Sequence, residues 1–385
     1  MSETNTKKPN IVLRILALLV TIALVLGSLV LVVYRDKLNL DALERWLTAR
    51  QLETGESGLP EPFTHAGGDD LSLAFLNKGI LFSSATGTHY YAINGDEYAG
   101  KVLSMDDPVL TAGAKSGAVY DAGGQSVFLF REGLQTADLT LDGNADVLSV
   151  RTNDAGWMAV TAQQSGYKGA VTVYNANGEK AIQISLSSTF VVDAAISPDN
   201  KTVAVVTIDQ EGGAFHSRVW FYPVNRTEPS AKLDLGNVVV LDMDFESSQL
   251  FLLCNDRLLT MDPKAENIAS YTFGHQYLKG YSLRGDGFAM LLMSSYETGS
   301  ADTALTLDGK CTTLARLPLS GQILDFDCAG SYAALLTGSE LTIYDSALVE
   351  KALLSETQSA RHVSLRADGA AALAHHQQCW LFIPE

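Results

Sequence analysis

The feature that most constrains this chain is an internal repeat of about forty residues. Six segments share an apolar strand pattern, a tight turn and a second apolar strand: VLSVRTNDAGWMAVT, VDAAISPDNKTVAVVTI, VLDMDFESSQLFLLC, GYSLRGDGFAMLLM, LDFDCAGSYAALLT and HVSLRADGAAALAH. Two weaker copies, LSLAFLNKGILFSS and VLTAGAKSGAVYD, precede them. Most copies continue with a third and a short fourth strand pattern, without the 3.6-residue period of a helix. Four antiparallel strands per repeat predict an all-β fold, a β-propeller of four-stranded blades.

The turn inside each copy gives a marker for counting blades. A two-residue hairpin turn favours Gly or Asn because it requires positive φ. Eight markers predict about eight blades, and seven is the alternative if the weak first copy is irregular. The last copy ends after three strands, so we expect the segment PEPFTHA, around Phe63, to supply the missing strand and close the ring. The markers are Gly79, Gly117, Gly156, Asn200, Ser248, Gly287, Gly330 and Gly369.

One segment near the N-terminus is wholly apolar. Residues Ile15–Tyr34 form a run of twenty residues without a charge, which at ~1.5 Å per residue spans about 30 Å. The run is longer than the core of a cleaved signal peptide and predicts an uncleaved transmembrane signal anchor. Lys and Arg flank both ends in similar numbers, but long C-terminal domains are translocated largely regardless of flanking charge. We therefore expect residues 1–14 to form a short cytoplasmic tail and the C-terminal domain to be extracytoplasmic, at the cell membrane.

Residues 35–62 are expected to form a juxtamembrane helix and a linker. In LNLDALERWLTARQL, apolar residues recur near helical spacing with charged residues between them, which predicts a short amphipathic helix. Such a helix could lie on the bilayer with Trp46 at the interface, pack on the propeller, or mediate self-association; packing or a stalk is the favoured interpretation. The segment ETGESGLPEP is typical of a linker, and residues 63–385 are expected to form the propeller.

The charge of the chain excludes one class of partner. The chain has 27 Lys or Arg and 44 Asp or Glu, of which seven and four precede residue 51, leaving 20 against 40 for the globular part. Such an acidic domain repels phosphate backbones, so nucleic-acid binding is not expected. Solubility is the preferred explanation of the charge.

The four cysteines, Cys254, Cys311, Cys328 and Cys379, each fall inside an apolar strand pattern. Their wide spacing is unlike that of a metal site or a disulfide framework. We expect buried free thiols.

Parts of the chain resemble known propellers. The copy AISPDNKTVAVV resembles the hairpins of WD40-like, TolB-like and YVTN propellers, and the ends of the third strands resemble quinoprotein-like repeats. The tryptophan-docking motif of quinoprotein dehydrogenases and the GH…WD pair of WD40 repeats are absent from the sequence, so neither cofactor nor ligand follows. The whole layout looks like an uncharacterised bacterial family of membrane-anchored propellers, described only as a domain of unknown function.

Two groups of residues are candidates for chemistry. His375, His376 and Cys379 are close in sequence, but neighbouring residues of a strand point to opposite faces, so a solvated turn is favoured over a metal site. Asp242 with Asp244, and Asp325 with Asp327, occupy alternate positions, so each pair shares one face of its strand. In an innermost strand that face would meet the central channel.

The sequence assigns no catalytic, cofactor-binding or metal-binding residue, and GxSxG, P-loop, GxGxxG and HExxH motifs are absent from it. It favours a non-enzymatic envelope protein that binds a protein or glycan partner near the membrane. The alternative is an enzyme that acts on envelope polymers through carboxylates at the propeller channel.

Overall fold

The computed structural model describes residues 18–22, 40–52, 60–68, 70–142, 145–357 and 359–384. Residues 18–22 are helical, and the rest of the predicted transmembrane segment Ile15–Tyr34 lies outside the described residues. Within the described parts of the chain, neither of the helical stretches is long and apolar enough to cross a bilayer. The helix predicted after this segment is present as α1, Leu40–Ala49.

The chain then forms strands that assemble into eight four-stranded antiparallel sheets, the blades of a ring. In the first four blades the strands are consecutive in the sequence. Blade 1 contains β2 (Ser72–Leu76), β3 (Gly79–Ser84), β4 (Gly87–Ala92) and β5 (Glu97–Val102); blade 2 contains β6 (Pro108–Ala112), β7 (Ser116–Asp121), β8 (Ser126–Arg131) and β9 (Leu134–Thr140); blade 3 contains β10 (Val147–Thr152), β11 (Met158–Ala162), β12 (Gly169–Tyr174) and β13 (Lys180–Leu186); blade 4 contains β14 (Phe190–Ile196), β15 (Thr202–Glu211), β16 (Ala214–Pro223) and β17 (Ala231–Gly236).

The second half of the ring repeats this order until its last blade. Blade 5 contains β18 (Val240–Glu246), β19 (Gln249–Cys254), β20 (Arg257–Met261) and β21 (Ala269–Thr272); blade 6 contains β22 (Tyr277–Gly285), β23 (Phe288–Ser294), β24 (Thr303–Asp308) and β25 (Thr313–Pro318); blade 7 contains β26 (Ile323–Ala329), β27 (Tyr332–Thr337), β28 (Leu341–Asp345) and β29 (Glu350–Leu354); blade 8 contains β30 (His362–Leu365), β31 (Ala371–His375), β32 (Gln378–Phe382) and β1 (Phe63–Thr64).

Eight blades, and closure by the segment around Phe63, were both predicted and are confirmed. Phe63 pairs with Cys379 and Thr64 with Gln378, so the first strand of the ring is the outermost strand of its last blade. This pairing joins the two ends of the domain and covers the edge that β32 would otherwise expose.

The hydrophobic core lies between neighbouring blades. One cluster joins Phe221 of blade 4 to Met243 and Leu252 of blade 5, and another joins Leu336 of blade 7 to Trp380 of blade 8. The four cysteines are buried and free, as predicted. Each blade thus buries both sheet faces, which explains why its central strands are apolar almost throughout.

The turn markers were only partly interpreted correctly. Gly156, Asn200, Gly287, Gly330 and Gly369 have positive φ, whereas Gly79 and Gly117 do not. Gly79 begins a strand, and a Cβ atom there would lie 2.0 Å from the carbonyl oxygen of Tyr91. Close approach of the neighbouring strand, and not turn geometry, therefore requires glycine at this position.

Each innermost strand runs through the ring in the same direction, which gives the ring two distinct ends. The entry face carries the connections that lead into the innermost strands, such as residues 187–189. The helix face carries the turns that leave them, such as residues 197–201, and it also carries α1. Tyr332, in the corresponding turn of blade 7, donates a hydrogen bond to Asp41 Oδ2 of α1 at 3.1 Å.

Candidate binding site in the central channel

The site begins with an irregularity that recurs in the innermost strands. Within the described residues, the pairing of β10, β14, β18, β22 and β26 with the next strand skips one residue near the entry face. The skipped residues are Leu148, Val192, Leu241, Lys279 and Leu324. Each is a β-bulge, in which one extra residue is inserted and the side chains around it are re-aimed. The innermost strands β2, β6 and β30, all of them described, pair without such a shift.

Three of the bulged residues, Leu148, Val192 and Leu241, expose apolar side chains. The entry face of blades 3–6 carries a set of exposed apolar residues that we call the apolar arc: Leu148, Phe190, Val192, Val239, Leu241 and Tyr277. Their exposed fractions run from 37% for Val192 to 53% for Phe190. The arc occupies four consecutive blades on the entry face, and its member Leu241 lines the central channel. Exposed apolar surface that is grouped in this way is typical of an interaction site.

Three of the five residues that directly follow the bulges are aspartates. Asp193, Asp242 and Asp325 each accept a hydrogen bond from the backbone N–H of the following residue, at 2.8 to 2.9 Å. Asp244 and Asp327, two residues further on than Asp242 and Asp325, do the same. Asp242, Asp244, Asp325 and Asp327 all line the channel, which confirms the expectation that an innermost strand would direct these pairs there.

Arg151 joins three blades across the channel. Its side chain, from blade 3, donates to Asp193 of blade 4 at 2.8 and 3.1 Å and also contacts Asp242 of blade 5. Ser149 donates a further hydrogen bond to Asp193. Burial would lower the pKa of the Arg151 guanidinium, but Asp193 and Asp242 outweigh it and hold this pKa well above its usual value. Arg151 is therefore a permanent cation that ties blades 3, 4 and 5 together.

A second network joins blades 6, 7 and 8. Arg284 donates to both carboxylate oxygens of Asp327, at 3.0 and 3.2 Å. Asp327 Oδ2 also accepts from the Ser364 hydroxyl and from the Leu365 backbone N–H, each at 2.9 Å. Asp325 Oδ2 accepts from the Val363 backbone N–H at 2.8 Å. These carboxylates connect neighbouring blades directly.

Two cavities form the channel and meet at a common waist. The one on the entry face has a volume of 560 Å³, and the one on the helix face has a volume of 370 Å³. Arg151, Asp244 and Arg284 line both. The waist therefore carries two guanidinium groups with carboxylates on either side.

Three carboxyl groups of the channel bind their protons unusually tightly. Burial, only partly offset by Arg151, raises the pKa of Asp244 to about 7. Burial raises the pKa of Asp325 to about 7, against its two backbone donors. Burial, reinforced by Asp244, Asp286 and Asp154, raises the pKa of Glu246 to about 9. Burial thus favours the neutral, protonated form of these three groups, and a cation bound in the channel would favour their ionised form.

The histidine and cysteine candidates are not brought together. His376 is exposed in the turn between β31 and β32, its ring 3.8 Å from that of His375, while Cys379 is buried in the core. Burial raises the pKa of the Cys379 thiol. In the described parts of the chain, no group of three His, Cys, Asp or Glu side chains is arranged to hold a metal ion.

Sequence reasoning did not identify Arg151, Arg284, Glu246 or the apolar arc. A signal for the arc was present: VLS, VVD, VLD and ILD recur at the start of the innermost strands. Two adjacent apolar residues before a polar one break the period of two, and a break at the same point of successive repeats indicates a bulge. The arginines had no such signal, because their partners come from other blades.

Comparison with protein families assigns the chain to a family. Residues 64–358, which include all of blades 1–7, match the family of unknown function DUF5711. The chain belongs to this family. The family resemblance inferred from the sequence is thereby confirmed as far as a domain of unknown function is concerned. A comparison with curated proteins gave no match.

Solved structures share the architecture of the ring. The C-terminal WD40 domain of Sif2 matches at a TM-score of 0.54 and 14% identity, covering 87% of this chain and 97% of that domain. Hsv2 from Kluyvelomyces marxianus matches at 0.48 and 10% identity, covering 71% of this chain and 88% of that chain. The β-propeller domain of Cps50 (Swd1) from Myceliophteria thermophila matches at 0.48 and 8%, covering 85% and 99%. The likeness to the Sif2 domain establishes a WD40-type β-propeller and nothing beyond the fold.

Proposed function

We propose that this protein is a non-enzymatic binding module that captures a protein partner on the entry face of its propeller and is held at the cell membrane by residues 15–34. The observation that carries the proposal is the apolar arc on blades 3–6. Six large exposed apolar side chains on the entry face of four consecutive blades have the character of a docking surface, since soluble surfaces seldom group such residues without a partner.

The chemistry of the partner follows from the surroundings of the arc. Leu241 of the arc lines a cavity of 560 Å³ whose lining also includes Asp244 and Asp325, and the domain as a whole is acidic. We expect a partner segment that places aliphatic or aromatic side chains on the arc and a Lys or Arg side chain in the channel. Apolar contact would supply most of the affinity, and charge complementarity would supply specificity.

Binding fits the channel better than catalysis does. Asp193 and Asp242 are engaged by Arg151, and Asp327 by Arg284, Ser364 and a backbone donor. Carboxylates held in this way stabilise the ring. The membrane anchor rests on the uncharged run Ile15–Tyr34.

A photo-crosslinking experiment tests the partner site. A photoreactive amino acid replaces Phe190 of the arc in the full-length chain, and the same replacement at Val349 on the outer edge of blade 7 serves as a control matched in exposure, 53% against 55%. We expect a defined protein adduct from position 190 only. Adding Leu241→Asp to the Phe190 variant should remove the adduct while the thermal unfolding transition is unchanged, because Leu241 is exposed.

Synthetic peptides test the proposed chemistry directly. Peptides of Leu and Lys should bind the full-length protein more tightly than peptides of Leu and Glu of the same length, measured by fluorescence anisotropy. Binding should weaken with salt and with Leu241→Asp. Equal binding of both peptides, or binding that Leu241→Asp does not change, would contradict the proposal.

A further inference from the structure

Helix α1 is docked in the opposite sense to most amphipathic helices. Its polar side faces the propeller: Arg45 and Thr48 are buried, with exposed fractions of 7% and 6%. Its apolar side faces away, and Leu40, Leu43, Trp46 and Leu47 are 49% to 67% exposed. An amphipathic helix on a globular protein ordinarily buries its apolar side. The orientation of α1 therefore leaves an apolar surface that the propeller does not cover.

Specific contacts hold the helix in this orientation. Arg45 donates to the backbone carbonyl of Asp368, in the turn between β30 and β31. Arg366 donates to the Thr48 hydroxyl at 2.8 Å and forms an ion pair with the Asp368 carboxylate at 2.6 Å. The side chains of this pair are 3% and 1% exposed. Since α1 covers a buried ion pair, turning the helix over would expose that pair and break these hydrogen bonds.

The chain before α1 indicates what covers the apolar side. The uncharged run ends at Tyr34 and α1 begins at Leu40, so five residues separate them. Five residues of extended chain reach at most about 17 Å. If the run crosses a bilayer, α1 cannot leave the membrane surface. An apolar helix side with a Trp, next to a membrane segment, has the character of an interfacial helix.

We propose that the apolar side of α1 inserts into the headgroup region of the lipid bilayer and fixes the helix face of the ring against the membrane. This inference rests on the proposed anchor and specifies how the propeller is oriented. The entry face and its apolar arc then point away from the bilayer. Apolar insertion drives the contact and electrostatic attraction does not, because the domain is acidic and would be repelled by anionic headgroups.

Site-specific fluorescence in vesicles tests the inference on the full-length chain. An environment-sensitive fluorophore is attached at Leu43→Cys, or as a control at Tyr296→Cys on the entry face; both positions are exposed, and the four native cysteines are buried. In phosphatidylcholine vesicles, the label at position 43 should be quenched by doxyl-labelled lipid and protected from aqueous iodide. The label at position 296 should show the reverse.

The outcomes separate this inference from the anchor itself. Flotation of the vesicles in a density gradient shows whether the chain is bound to them. If the chain co-floats while iodide still quenches the label at position 43, the inference alone is overturned. If the chain does not co-float, the anchor and the inference are overturned together. Protection from both quenchers, with crosslinking of position 43 to itself, would mean that a second copy covers α1 and would also overturn it. With Leu43→Glu and Leu47→Glu together, a label at Trp46→Cys should lose its lipid quenching while the thermal transition is unchanged.

Discussion

Blades 3–7 and blades 8, 1 and 2 share one repeat but use it differently. In blades 3–7 each innermost strand carries a bulge near the entry face, and the apolar arc on blades 3–6 is exposed there. In blades 8, 1 and 2 the innermost strands are regular, and apolar residues at the same end, such as Val363 and Leu71, are only 4% and 5% exposed. The regular part of the ring also contains the closing strand β1, and its blade 8 forms part of the surface on which α1 docks. The proposed partner surface thus lies entirely in the bulged part, whereas α1 docks on regular blade 8 and also contacts Tyr332 of bulged blade 7.

Deleting one residue from each kind of strand should give the largest difference in stability between the two parts of the ring. Val240 pairs with Cys254 and Asp242 with Leu253, so Leu241 can be removed without changing the register of β18. Removing Ala74 from the regular strand β2 moves Ser72 and Leu73 to the opposite faces. We expect the Ala74 deletion to cost about 4 kcal/mol or more and the Leu241 deletion only about 1–2 kcal/mol. Denaturant unfolding followed by circular dichroism measures both, and equal losses would show that the bulge is not a simple insertion.

Substituting one ion-paired arginine in each part should have the next largest effect. Arg366→Met leaves Asp368 buried without a cation, which should lower the free energy of unfolding by about 3–5 kcal/mol. Arg151→Met should cost roughly half as much, because the Arg151 side chain is 25% exposed and water can partly solvate its partners. Combining Arg366→Met with Asp368→Asn should recover part of the loss. If Arg151→Met lowered the free energy of unfolding more than Arg366→Met, the ion pairs of the channel would stabilise the ring more than the pair beneath α1 does.

The smallest expected effect is a dependence of stability on pH that originates in the bulged part. Folding raises the pKa of Asp244 from 3.8 to about 7 and that of Glu246 from 4.5 to about 9. The folded state therefore binds these protons more tightly than the unfolded state. Their contribution is complete below about pH 4 and is lost as the pH rises through 7 and then 9. Glu246→Gln should reduce this loss by roughly 1–2 kcal/mol between pH 7 and pH 9, measured by denaturant unfolding; an unchanged slope would mean that Glu246 does not cause it.

Some of the site followed from the sequence. Alternate spacing placed Asp242 with Asp244, and Asp325 with Asp327, on one face of a strand, and that face was expected to meet the channel if the strand was innermost. The turn at His376, directly after β31, was also predicted. Each of these features depends on residues a few positions apart, where strand geometry alone relates spacing to direction.

The helix α1 shows where local pattern stops being informative. Its spacing predicted an amphipathic helix, and packing on the propeller or a stalk was the favoured interpretation. Which side would pack was decided by Arg366, Asp368 and Tyr332, which lie some three hundred residues later in the chain. A helical pattern specifies two sides of a helix, but the surface it meets determines which side is buried.

The sequence predicted eight blades, with seven as the alternative, closure near Phe63 and burial of the cysteines, because repeated strand units bury their apolar faces against one another. Only the tertiary structure decided which arginine pairs with which aspartate, why Gly79 must be glycine, and where the apolar arc emerges. Those features depend on contacts between neighbouring strands or blades, whose side chains meet only after the sheets have formed and the ring has closed.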